Sequence, residues 1–292
     1  MLSSKTKGIL SLIASAFGFA LMALCVRLCD DFGGSISSFQ KSFFRNIIAF
    51  TIALVVFSRG ALKREKGASV FGNLTPKAFL LLMTRSICGT VGIFANFYAL
   101  GQITIAEGQT LNKTAPFFTV LFAWLFLKER VTLRQFWPLV LAFTGVVFIA
   151  KPGFAGEAAF PLAMGLLGGV GAGAAYACVR SMRTHGVDSA FIILFFSAFS
   201  SLAAIPFICH TFNPMTIAQV LILLGAGLGA AIGQFGVTLA YGFAAPREIA
   251  VYDYTNILFT AILGFIFFGQ IPDVFSLLGF VAIIAAAFSL RR

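Results

Sequence analysis

Acidic residues are scarce: Asp and Glu together number 10 in 292 residues, against 21 Lys and Arg, and charged residues of both signs make up only 11% of the chain. A water-soluble globule of this length needs a far larger charged shell, so the solvent for most of the surface must be lipid. Histidine is scarcer still, since His185 and His210 are the only two and neither shares a run with a nucleophile or a metal-spaced carboxylate. That excludes His-based catalysis and His-ligated metal, and the two rings read as isolated imidazoles at span ends. No CxxC pair joins Cys25, Cys29, Cys88, Cys178 or Cys209, which read as membrane-buried thiols. A GxxxxGK[ST] loop is also missing, so this chain is not expected to hydrolyse ATP, and no cofactor is expected. Gly171-Ala-Gly173 imitates part of a dinucleotide fingerprint, but no strand precedes it.

Apolar residues are abundant, at 59% with a mean hydropathy of +0.97. They gather into runs long enough to cross a bilayer at 8–27, 36–57, 78–99, 105–127, 133–150, 162–182, 189–209, 217–240, 247–268 and 273–290. Lys5 and Lys7 before the first run resemble the start of a signal peptide, but that run continues to Val26 and reads as a retained span. Short connections between the runs hold most of the charge. If both termini face the cytoplasm, the connections on that side carry Lys5, Lys7, Arg59, Lys63, Arg64, Lys66, Lys77, Lys128, Arg130, Arg134, Arg180, Arg183, Arg247, Arg291 and Arg292. The opposite side carries Arg27 and Lys151 alone, which fixes that orientation. The net charge of +11 is therefore dispersed between apolar runs rather than collected into a patch, and nucleic acid is not an expected partner.

The chain repeats itself. An offset of 141 residues pairs Gly92 with Gly233, Phe94 with Phe235, Glu107 with Glu248, Thr114 with Thr255, Thr119 with Thr260 and Phe126 with Phe267, and sets Asn112 against Asp253. Earlier, Cys25-Val-Arg27 returns as Cys178-Val-Arg180, 153 residues on. Each half, 1–154 and 155–292, then holds an odd number of spans, so the second enters from the opposite side. The expected fold is all-α and integral to the membrane: ten transmembrane helices in an inverted-topology 5+5 repeat. Such pseudo-symmetry suits alternating exposure of a midplane site. Gly165, Gly169 and Gly173, like Gly225, Gly229 and Gly233, recur every fourth residue and predict close helix packing.

Phe44-Arg45, Asn96-Phe97-Tyr98-Ala99-Leu100, Ala115-Pro116 and Phe126-Leu127-Lys128-Glu129-Arg130 followed by Gly145-Val-Val resemble the drug/metabolite transporter superfamily, specifically its EamA-type ten-helix members. The likeness covers nearly the whole chain. It departs in the second half, where Gly269-Gln270 stands for Lys128-Glu129 and Ser197 for Arg45. The resemblance implies a secondary transporter with a cavity lined by the first four spans of each half, placed in the cytoplasmic membrane of a bacterium. Relatives of this kind move amino acids, nucleosides, cofactors or drugs, and Phe43-Phe44-Arg45 with Arg85 is loosely similar to S-adenosylmethionine uptake carriers. The competing class, a multi-span enzyme acting on lipid, lacks the paired carboxylates or interfacial His it would use.

Charge inside the runs carries the functional expectation. Lys41, Arg45, Arg85 and Lys113 lie within spans, facing one clear midplane acid, Asp253. Arg45 and Arg85 fall roughly 11–14 Å into their helices at the standard rise per residue, too deep to reach water, whereas Lys41 is shallow enough to snorkel. Ions held in hydrocarbon either pair structurally or line a polar cavity. The expected cavity residues are Arg45, Arg85, Asn96, Tyr98, Asn112, Lys113, Tyr176, Gln234, Tyr252, Asp253 and Asn256, with Glu107, Lys113, Glu248 and Asp253 as coupling groups. An excess of buried cation predicts an anionic or zwitterionic cargo. The expected partners are that small-molecule substrate and the surrounding lipid, with a homodimer left open. Pro116 is expected to bend the fourth span. The 36 phenylalanines read as mostly lipid-facing bulk, and no site is drawn from them.

Overall fold

A computed structural model describes residues 2–34, 36–62, 74–100, 102, 111–150, 159–269, 271 and 273–289. Those residues form helices and connections only, so the chain is all-helical as expected. In order the helices are α1 (Ser4–Asp31), α2 (Ser38–Leu62), α3 (Pro76–Leu100), α4 (Ala115–Leu127), α5 (Leu133–Ala150), α6 (Ala159–Thr184), α7 (Ser189–His210), α8 (Ile217–Phe243), α9 (Thr255–Phe268) and α10 (Val274–Ser289). A one-turn helix, Pro246–Ile249, and a 3-10 turn, Ala250–Tyr254, lead into α9. Among the described residues seven helical stretches are long and apolar enough to cross a membrane, the seventh being Pro246–Phe268 taken as one, and three shorter apolar helices accompany them. The chain is a multi-span membrane protein.

Local sequence explains where the helices start and stop. Ser3, Asp188 and Thr216 each accept a bond from the backbone N–H three residues on, and Thr216 with Gln219 completes a capping box. Two helices end on residues in the left-handed region: Lys128 at φ 55° after α4 and Gly269 at φ 62° after α9. These two positions are the ones that the 141-residue offset pairs.

The most extensive packing joins helices of the first five to helices of the last five: α1 with α8, α3 with α6, α2 with α7 and α5 with α10. Close approach is possible because the contact points are glycines. A Cβ on Gly18 would lie 2.7 Å from both the carbonyl oxygen of Gly229 and the nitrogen of Gly233, so α1 and α8 touch backbone to backbone. At the α3–α6 crossing, a Cβ on Gly171 would lie 2.6 Å from the carbonyl oxygen of Cys88. The predicted Gly165-Gly169-Gly173 stripe also packs closely, on the fourth span, where a Cβ on Gly169 would lie 2.7 Å from the Leu111 carbonyl oxygen and one on Gly173 2.9 Å from the Thr119 nitrogen.

The fourth and ninth spans are both discontinuous. Helical turn at Leu111 and Asn112 gives way to a turn at Lys113 and Thr114 before α4 begins, and the 3-10 turn containing Asp253 precedes α9. Thr114 Oγ1 donates to the Leu111 carbonyl at 2.6 Å, and Thr255 Oγ1 to the Tyr252 carbonyl at 2.7 Å, so the same hydroxyl steadies each break. Pro116 therefore sits in the first turn of α4, where its missing N–H costs nothing, and starts a helix rather than bending one.

Candidate functional site

A cavity of about 830 Å³ opens at one end of the bundle and reaches its middle. Its mouth is framed by the end of α1 (Arg27), the start of α2 (Ile36, Ser38), the end of α9 (Phe268, Ile271) and the start of α10 (Ser276). Its floor is built from residues near the centres of their helices: Arg45 on α2, Arg85 on α3, Tyr176 on α6, Phe196 on α7 and Gln234 on α8. The two broken spans supply Asn112, Lys113, Asp253 and Asn256. Phenylalanines 19, 97, 268 and 280 make much of the remaining wall.

Among the described residues Arg85 is the most buried of the charged side chains, at 1% exposure. Its guanidinium lies 3.5 Å from the centroid of the Phe196 ring, and Nη2 donates to Gln234 Oε1 at 3.0 Å. Nε and Nη1 have no protein partner. Gly89, one turn along α3, makes room for this stack, since a Cβ there would lie 2.9 Å from the Phe196 ring and 3.2 Å from Nη1. Arg45 sits 5.9 Å from the Phe19 ring centroid, with its Nε also buried and unpartnered. Asn96 Oδ1 is left without a bond as well. Buried polar atoms without partners are rare in protein interiors, and here the residues that hold them line a cavity.

Lys113 and Asp253 meet across the two breaks at 3.6 Å, with side chains 10% and 13% exposed. The separation is that of an ion pair without close hydrogen-bond contact. Lys113 lies two residues before the start of α4 and Asp253 two before that of α9, so each side chain belongs to the approach to a helix N-terminus. Asn256 is engaged, donating to the Ala16 carbonyl at 2.9 Å.

The structure thus brings together Arg45, Arg85, Asn96, Asn112, Lys113, Tyr176, Gln234, Asp253 and Asn256. It does not bring three others. Tyr98 is 46% exposed and packs edge-on to Phe160, beside a separate pocket of about 250 Å³. Tyr252 is buried with its hydroxyl on the Ala287 carbonyl at 3.0 Å, and Glu248 lies in the one-turn helix away from the wall. Helix rotation decides these placements, and spacing alone does not supply it. Glu107 lies outside the described residues. Phe196 and Phe19 are cavity residues that the sequence reading drew no site from, and each ring lies against an arginine. Among the described residues no group of His, Cys, Asp and Glu is arranged to hold a metal.

The far end of the bundle is shut. Tyr176 rests on buried Tyr241, ring centroids 5.7 Å apart, and one turn further on Arg180 Nε donates to Glu129 Oε1 at 2.9 Å. The sequence sets Arg180 on a connection and Glu129 within the Phe126–Arg130 cluster, and nothing in it joins the two.

Residues 6–151 match the EamA-like transporter family. The pseudopaline exporter of Pseudomonas aeruginosa is 29% identical over 98% of this chain and 96% of its own length. An uncharacterized transporter of Helicobacter pylori is 25% identical over 96% of this chain and 92% of its own. The riboflavin transporter of Rhizobium johnstonii is 28% identical over 72% of this chain and 69% of its own. A solved crystal structure superposes with a TM-score of 0.74 over 95% of this chain and 98% of that one, at 18% identity, which is a likeness of fold alone.

Proposed function

The chain belongs to the EamA-like transporter family, and from that premise we propose that it moves a small anionic or zwitterionic metabolite by exposing its midplane cavity to each face in turn. It is a membrane transporter and not an enzyme. The observation that carries the cargo reading is the charge of the cavity wall. Arg27, Lys41, Arg45, Arg85 and Lys113 line it, with Asp253 as the single acid among the described lining residues. Arg85 and Arg45 hold buried donors that no protein atom uses, and a guanidinium fork matches a carboxylate or phosphate. The phenylalanines above the floor suit a cargo with a hydrophobic body. Similarity to a pseudopaline exporter and a riboflavin transporter supports a metabolite of that size class, which a cavity of about 830 Å³ accommodates.

The two halves, 1–154 and 155–292, act as inverted repeats in this reading. Support comes from the partner exchange in the packing, where α1 with α8 mirrors α6 with α3, and from the matched features at Lys128 and Gly269 and at Thr114 and Thr255. The shut end carries Lys7, Arg59, Lys77, Lys128, Arg130, Arg134, Arg183 and Arg247, so it is assigned to the cytoplasm of a bacterial inner membrane. The cavity then faces outward. Thermal melting of the purified protein against panels of anionic, zwitterionic and cationic metabolites tests the cargo. Stabilisation by carboxylate- or phosphate-bearing solutes is expected, and stabilisation by cations alone overturns the reading.

A further inference from the structure

Among the described residues, one ion pair braces the closed end of the bundle. Arg180, on α6, donates Nε to Glu129 Oε1 at 2.9 Å and Nη1 to the Tyr241 carbonyl, near the end of α8, at 3.1 Å. Both charged side chains are only 16% exposed. Arg247, leading into α9, donates to the Arg130 carbonyl beside Glu129 at 2.9 Å. These bonds tie the turn after α4 to α6, α8 and the approach to α9. Those elements also form the cavity floor, through Lys113, Tyr176, Gln234 and Asp253, so they must part there if the cavity is to open inward.

The chain bears a local cost to place Glu129. Lys128 adopts φ 55°, a left-handed conformation that is unfavourable for a residue with a side chain. At the matching place in the second half stands Gly269, which takes φ 62° without that penalty, followed in sequence by Gln270 where the first half has Glu129. Arg180 likewise has a counterpart, Arg27, at the open mouth, 4.5 Å from the Phe268 ring centroid. The cationic member of the pair is thus repeated and the acidic one is not.

We propose that Glu129 and Arg180 are positioning residues for transport: a one-sided ionic latch that holds the cytoplasmic end shut, biases the protein toward its outward-open form, and breaks once in every cycle. The latch rests on alternating access and not on the charge of the cargo. Its test uses Thr238, fully buried on α8 just inside the latch. Thr238→Cys is labelled with a membrane-impermeant maleimide in inverted vesicles, over the background of the chain without that substitution. Ala53→Cys, equally buried on α2, reports general loosening.

With native Glu129, labelling of Thr238→Cys is slow. Glu129→Gln accelerates it by at least about ten-fold, the shift expected when a pair holding a two-state equilibrium is removed. Glu129→Asp, which keeps the charge, stays near the native rate, and Arg180→Gln provides a second disruption should Glu129→Gln fold poorly. Unchanged labelling in both neutral variants overturns the latch, as does an equal acceleration of Ala53→Cys. Because labelling needs no cargo, a failed anion panel beside a working latch would refute only the cargo reading.

Discussion

Replacing Arg85 by Met separates a binding role from a structural one. In the native chain the guanidinium is 1% exposed, so its desolvation costs several kcal/mol. Two contacts offset that cost: the Phe196 ring, a cation–π contact of about 2 kcal/mol when desolvated, and the Gln234 bond, about 1.5–3 kcal/mol for a charged donor. The sum lies near zero, so the protein gains little stability from this arginine. Met has a similar reach and packs on the same ring, and a swap of that kind costs less than roughly 1.5 kcal/mol. Gln234 loses its partner but borders the cavity, where water can replace it. Melting is therefore expected to change little. Transport is expected to suffer, because losing a charge-assisted bond of about 1.5–3 kcal/mol weakens half-saturation by roughly 10- to 150-fold for a carboxylate-bearing cargo. Melting curves and concentration series of uptake into proteoliposomes measure the two effects. A variant that melts far below native, yet transports with unchanged half-saturation, would refute the reasoning and make Arg85 a packing residue.

Other outcomes follow from single contacts. Asp253→Asn strips Lys113 of its acid at the junction of the broken spans, and uptake is expected to fall more than about ten-fold with normal expression. Adding Lys113→Gln should recover melting but not uptake, whereas full transport in Asp253→Asn would remove the pair from the cycle. Gly18→Val drives a side chain into the α8 backbone at 2.7 Å and should destabilise by about 1–3 kcal/mol, read as a lower melting point. Gly60→Ala, whose Cβ meets nothing within 4 Å on α2, should stabilise by about 0.5–1 kcal/mol. Asn46→Leu removes the 3.0 Å bond to Ser200 between α2 and α7, worth about 0.6 kcal/mol in a membrane, so melting should drop only slightly.

The charges were legible because nothing local explains an arginine or lysine in an oily run. Arg45, Arg85, Lys113 and Asp253 had to share a chamber or a pair, and they line one cavity. Tyr98 and Tyr252 were not legible in the same way, since a tyrosine is at home against lipid, a neighbouring ring or a carbonyl, and helix rotation alone selects among these. The breaks at Lys113 and Asp253 also escaped hydropathy, because a 3-10 turn has the composition of the helix it interrupts. Their signal lay in Thr114 and Thr255, small hydroxyls at the same register of the repeat that bond back to the turn before them. Phe196 was marked in retrospect by Gly89, one turn from Arg85. Glu129 was legible only as part of the Phe126–Arg130 cluster, because its partner, Arg180, is distant in sequence.

Counterflow in proteoliposomes tests the central claim most directly. Vesicles holding the native protein are loaded with unlabelled glutamate, citrate or a nucleoside monophosphate, or with spermidine or choline as cations, and accumulation of the same labelled solute from outside is followed. The account predicts transient accumulation of at least one carboxylate- or phosphate-bearing solute, lost when Arg45 and Arg85 are both replaced by Met. Accumulation of the cations alone, or of the anions undiminished in the double variant, would contradict it.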